Sequence, residues 1–140
     1  MNERPGSPHP TVIRSLAVTT DDLVSALEAT QRAGRPVVLR VTPPFTGRMR
    51  ARIHIAGGES KDYADPTPLH FEPMLFLDEG APSYPEVDET RPDPYDVEVH
   101  HDQHRQAVAA WRDAIRSFFR TSVFIQTPDG PHEVSVKYLG

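Results

Sequence analysis

The 140 residues predict an α+β fold, a two-layer sandwich in which a mixed, mainly antiparallel sheet carries two helices on one face. Three observations point there. Apolar residues recur at helical spacing near residues 20–33 and again toward residue 119. Short β-rich stretches stand between them, separated by glycine and proline. The elements run strand, helix, strand, strand, and then repeat that order, which reads either as a duplicated βαββ unit or as two such units alike by chance.

Residues 1–10 hold three prolines, a glycine and a serine without periodicity, and read as a flexible tail ahead of a single domain over 11–140. Thr11 to Val18, with Val12, Ile13, Leu16 and Val18, is the first strand. Thr19-Thr20-Asp21-Asp22 then starts a helix. Thr20 or Asp21 can accept from the unpaired first-turn amides, and the acids suit the positive end of the helix dipole. Leu23, Val24 and Leu27 follow on one helical face until Gly34 ends it. A helix between two strands predicts that the strand at Pro36–Thr42 lies parallel to the first, by a right-handed crossover.

The stretch 36–55 reads as a hairpin. Pro43-Pro44-Phe45-Thr46-Gly47 is its loop, where Gly47 is suited to a positive φ. In the second arm, alternation puts Met49, Ala51, Ile53 and Ile55 on a core face and Arg48, Arg50, Arg52 and His54 on the other, with Arg40 of the first arm beside them. The arm ends at Gly57-Gly58, residues 59–68 read as loop, and Leu69 to Leu77 is an extended stretch whose interruption by Pro73 argues for an edge strand or a bulge.

Asp78 to Asp96 is acidic, carries prolines at 82, 85, 92 and 94, and predicts a long extended loop, bounded here as 78–97. The next helix begins at Glu98 or Asp102 and runs to Phe119, with Ala107, Val108, Trp111, Ala114, Ile115, Phe118 and Phe119 on its apolar face. Ser122–Thr127 and His132–Tyr138 close the chain as a hairpin around Asp129-Gly130.

Composition narrows the function. There is no cysteine, which excludes disulfides, thiolate metal sites and thiol nucleophiles. No apolar run is long enough for a bilayer and the first residues lack a signal peptide's apolar core, so the expected location is cytoplasmic, with no membrane partner. The net charge of −5 is uneven: Asp78–Glu98 carries −7, leaving +2 for the remainder. Of the fifteen basic residues only Lys61 and Lys137 are lysine. This Arg-rich, Lys-poor, acidic and proline-rich composition resembles that of small proteins of halophilic archaea, as it would that of a high-GC bacterium, and carries no functional motif with it.

Two clusters can hold chemistry. The first is Arg40, Arg48, Arg50, Arg52 and His54 on an open sheet face, with Phe45 at the loop tip as a stacking group. Guanidinium forks match phosphate oxygens, and single-strand binders combine such grooves with aromatics, so the anionic partner this predicts is RNA or single-stranded DNA first. The competing reading has these arginines pairing with the acidic loop or with neighbouring carboxylates, keeping the face soluble. The second cluster is His100 and His104, one helical turn apart, with Asp102, Glu98 or distant His70 to complete a metal shell. It lacks the His-Glu-x-x-His arrangement that activates metal-bound water, and its competing reading continues the helix's apolar stripe through His104 and leaves His100 and His101 exposed where the helix starts. No nucleotide loop or nucleophile elbow accompanies either cluster, so no cofactor is expected and the reading favours binding over catalysis. Ser83-Tyr84-Pro85 and Pro92-Asp93-Pro94-Tyr95 read either as extended motifs for a protein partner or as a linker anchored by two tyrosines. A protein-interaction or self-assembling module, such as a homodimer, pairing through the fourth strand or the strand Val134–Tyr138, is the alternative function.

Overall fold

The structure, a computed structural model, describes residues 6–33, 36–55 and 67–140. Among these residues the strands are β1 (Ser15–Thr19), β2 (Val37–Val41), β3 (Arg48–Arg50), β4 (Arg52–Ile55), β5 (Leu69–Phe71), β6 (Ser122–Thr127) and β7 (Gly130–Leu139). The helices are α1 (Thr20–Ala33) and α2 (Val97–Ile115), so the α+β class holds. The expected stops at Gly34 and Gly57-Gly58, and most of the loop 59–68, lie outside the described residues. The chain, read from sequence as one domain, divides into two units: Met1–Phe76 with Arg120–Gly140, and Leu77–Phe119.

The first unit holds two sheets where the sequence predicts one. Their strand orders are β3-β1-β7-β6 and β4-β2-β5. β1 runs parallel to both β3 and β7, whereas β6 with β7, β2 with β4 and β2 with β5 are antiparallel. The predicted parallel pairing of β1 with β2 is therefore absent. Both edges of β1 are already occupied, and β2 sits in the other sheet. The repeated βαββ order is not repeated in space either, because β1 lies beside the second strand of the C-terminal hairpin while β5 lies beside the first strand of the central one.

A single segment joins the sheets. Arg48–Arg50 pairs with β1, Arg52–Ile55 pairs with β2, and Ala51 between them donates its amide to the Ala17 carbonyl at 2.9 Å. Ala51 is fully buried. This handover corrects the predicted core face: Ile53 and Ile55 are 39% and 58% exposed, because they lie on an edge strand beyond the switch. The core is supplied instead by Leu16 and Val18 of β1, Leu39 and Val41 of β2, Val134 and Val136 of β7, and Leu23 and Leu27 of α1.

The cap of α1 is Thr19, one residue before the predicted Thr20 or Asp21, with its Oγ1 accepting from the Asp22 amide at 3.1 Å. The N-terminal segment is not wholly a free tail, since Ser7 and Phe45 exchange two backbone hydrogen bonds of 2.7 Å. A Cβ on Gly6 would stand 2.4 Å from Pro44 Cβ, so only glycine permits this approach. Phe45 is thereby drawn into the interior, 2% exposed, and is no stacking group at a loop tip. Gly47 keeps a negative φ; its carbonyl accepts from the Arg14 and Ser15 amides. At the C-terminal turn Gly130 does adopt a positive φ of 107°, opposite Thr127. β5 is an edge strand as predicted, and Pro73 opens the 3-10 turn Pro73–Phe76.

In the second unit the acidic segment is more ordered than an extended loop. It forms a 3-10 turn, Val87–Thr90, and ends at Asp96, whose carboxylate accepts from the Glu98 and Val99 amides and caps α2. His100, Val108, Trp111 and Ile115 are buried along α2, whereas Ala114, predicted on this face, is exposed.

Candidate anion-binding cleft

Cross-strand pairing fixes which side chains share a face. In the three-stranded sheet Arg40 is opposite Arg52 on one side and His70 on the other, and Val38 is opposite His54. Paired residues project to the same side, so Val38, Arg40, Arg52, His54 and His70 stand together. The His54 and His70 ring centroids are 5.5 Å apart, and Arg40 Nη1 lies 3.4 Å from His54 Nδ1, to which it can donate. The sequence placed His70 only as a remote metal donor. Its position here depends on β2 pairing with β5 across thirty residues of chain, for which no local signal exists.

Arg40, Arg52 and His54 of this group line a cleft of about 400 Å³ together with Thr42, Met49, Arg50 and Ile53. Of the seven described lining residues three are arginines and none is a carboxylate. Arg40, Arg50, Arg52 and His54 are thus brought together, and with them Met49 and Ile53, which the alternation predicts on the opposite face. Arg48 is exposed and lies outside the lining, in register with Ser15 on the other sheet, and Phe45 is buried elsewhere in the unit.

Two electrostatic features stand out. Arg40 and Arg52 sit directly opposite on neighbouring strands, two like charges side by side across the ladder. Arg50 Nε is buried and, among the described residues, has no hydrogen-bond partner. A buried donor left without an acceptor costs free energy, and a cationic one more than a neutral one. An anion entering the cleft supplies the missing acceptor and offsets the Arg40–Arg52 repulsion together.

The histidine cluster differs. His100, 7% exposed rather than standing free at the start of the helix, lies with Nε2 2.7 Å from the Val87 carbonyl and Nδ1 3.4 Å from the Tyr95 hydroxyl. His104 Nδ1 is 3.1 Å from Thr90 Oγ1, whose hydroxyl is also placed to donate to the Val87 carbonyl at 3.0 Å. Asp102 is engaged by Arg105 and Gln106. These contacts fasten the 87–90 turn to α2. Among the described residues no three His, Cys, Asp or Glu side chains converge as a metal shell requires. The two tyrosines serve the same end: Tyr84 meets Trp111 edge-on at 5.0 Å, Tyr95 meets His100 at 5.4 Å, and Trp111 Nε1 donates to the Pro82 carbonyl.

The fold and cleft together define an α+β protein with an arginine-lined recess at the handover between two sheets. The chain belongs to the family described as domain of unknown function DUF8009, which it matches over residues 2–140. No curated protein and no solved structure matches it. No helix among the described residues is long and apolar enough to cross a membrane.

Proposed function

We propose that this protein is a binding domain whose cleft takes the phosphate groups of an anionic partner, single-stranded nucleic acid or RNA first. The observation that carries the reading is the buried Nε of Arg50, without a hydrogen-bond partner among the described residues, in a recess whose described lining adds two further arginines and no carboxylate. Arginine presents planar donors that fit phosphate oxygens two at a time, and the like-charged pair across β2 and β4 favours an occupied cleft over an empty one. The competing protein-assembly reading would use β7, which pairs with β6 over Gly130–Ser135 and with β1 over Ser135–Leu139, or β5, which is three residues long.

The test is fluorescence anisotropy of a labelled mixed-sequence 12-nucleotide single strand, titrated with wild type and Arg50→Gln from low to moderate salt. Binding that weakens steeply with salt, and is lowered at least fivefold by Arg50→Gln, is the expected result. Binding indifferent to Arg50, or none at low salt, overturns the proposal.

A further inference from the structure

The four-stranded sheet has a face that the cleft alone does not use. Its inner face is the buried set Leu16, Val18, Val123, Ile125, Val134 and Val136. The opposite face follows from register. One row across it is Arg50, Ala17 and Lys137; the next is Arg48, Ser15, Ser135 and Ser122; beyond that Phe124 stands opposite Glu133.

We infer that this open face is a base-stacking platform, with Phe124 as its aromatic, for the same single strand whose phosphates the cleft holds. The inference rests on the phosphate-binding reading and extends it to the bases. Continuity is provided by Arg50, which lines the cleft and begins the row toward Lys137. The centre of the face is low, made of Ser15, Ala17 and Ser135, so a strand can lie across it. Three cations, Arg48, Arg50 and Lys137, stand against the one carboxylate, Glu133, which complements a polyanion.

Phe124 is 53% exposed in mid-strand. A lone exposed phenylalanine is ordinary on a protein surface; this one lies three strands from the Arg48–Arg50 edge, roughly 14 Å at the usual ~4.8 Å strand spacing. That spacing separates a phosphate-holding edge from a base-holding one. Glu133, which accepts from Ser122 Oγ at 2.8 Å, fixes the polarity: it repels phosphate beside Phe124 but can accept from the exocyclic amino group of a base. Stacking on an aromatic tolerates any base, so the platform adds affinity without strict sequence choice.

The experiment compares a 12-nucleotide single strand with an abasic strand of equal phosphate number, on wild type, Phe124→Ala and Phe124→Trp. The platform predicts that wild type binds the base-bearing strand about tenfold more tightly than the abasic one. Phe124→Ala should erase that preference while leaving abasic affinity unchanged, and the added tryptophan of Phe124→Trp should be quenched by the base-bearing strand alone. Equal affinity for both strands in wild type and Phe124→Ala, with both lost in Arg50→Gln, overturns the platform and leaves the cleft standing. Binding of neither strand removes the cleft reading and the platform with it. A salt-resistant wild-type dimer that becomes monomeric in Phe124→Ala would instead make this face a self-association surface and overturn the platform.

Discussion

The arginine cluster of the first unit and the histidine cluster of the second are alike in sequence, each a short run of polar side chains at regular spacing. The fold treats them in opposite ways. His100 and His104 have ring nitrogens directed at the turn they fasten, and the Val87 carbonyl is approached by both the His100 ring and the Thr90 hydroxyl. Arg50 keeps a buried donor without an acceptor among the described residues, in a recess whose described lining includes two further arginines and no carboxylate. Spacing nominates a cluster; what its donors already hold decides whether it is left for a ligand.

The largest test of this contrast removes the guanidiniums together. Arg40→Gln, Arg50→Gln and Arg52→Gln combined should lower single-strand affinity about 100-fold at low salt and flatten the salt dependence. With ~0.7 per phosphate contact for single strands, the log–log slope should fall by about 2. Titrations at several salt concentrations give both quantities. An unchanged slope would place the partner's phosphates elsewhere on the protein.

How much of this was legible in advance varies by residue. Alternation put Arg40, Arg50, Arg52 and His54 on one face, because side-chain parity along a strand survives whatever the strand pairs with. Parity says nothing about the partner strand, so the split at Ala51 into two sheets, and with it the exposure of Ile53 and Ile55, was not readable. Phe45 was misplaced for a related reason. A proline-flanked loop resembles an exposed tip until the Ser7 bridge, thirty-eight positions away, draws it inward. The α2 stripe was legible through Val108, Trp111 and Ile115, but the burial of His100 depends on a carbonyl thirteen residues earlier, supplied by a segment that reads as an acidic linker.

The second cluster gives the next two effects, both read from Trp111, the single tryptophan, during denaturant unfolding. His100→Ala should destabilise by about 2 kcal/mol, since it deletes a buried ring and weakens the satisfaction of the Val87 carbonyl. Zinc should not restore wild-type stability, and a protein stabilised by zinc through His100 would reverse the contrast. Asp96→Ala should cost about 1 kcal/mol by leaving the first amides of α2 uncapped. Neither change should alter strand affinity.

The smallest effect has the opposite sign. Arg52 faces Arg40 across the β2–β4 ladder, and a side chain kept for ligand binding there works against the unliganded fold. Arg52→Gln should therefore raise stability by about 0.3 kcal/mol at low ionic strength while weakening single-strand binding. The gain should shrink in ~1 M salt, where the screening length falls to about 3 Å, and should also shrink when phosphate occupies the wild-type cleft. Melting temperatures of the two proteins at low salt, high salt and high phosphate measure it. A loss of stability at low salt would mean that Arg52 is held by the fold in the way His100 is, and would remove the distinction between the two clusters at that residue.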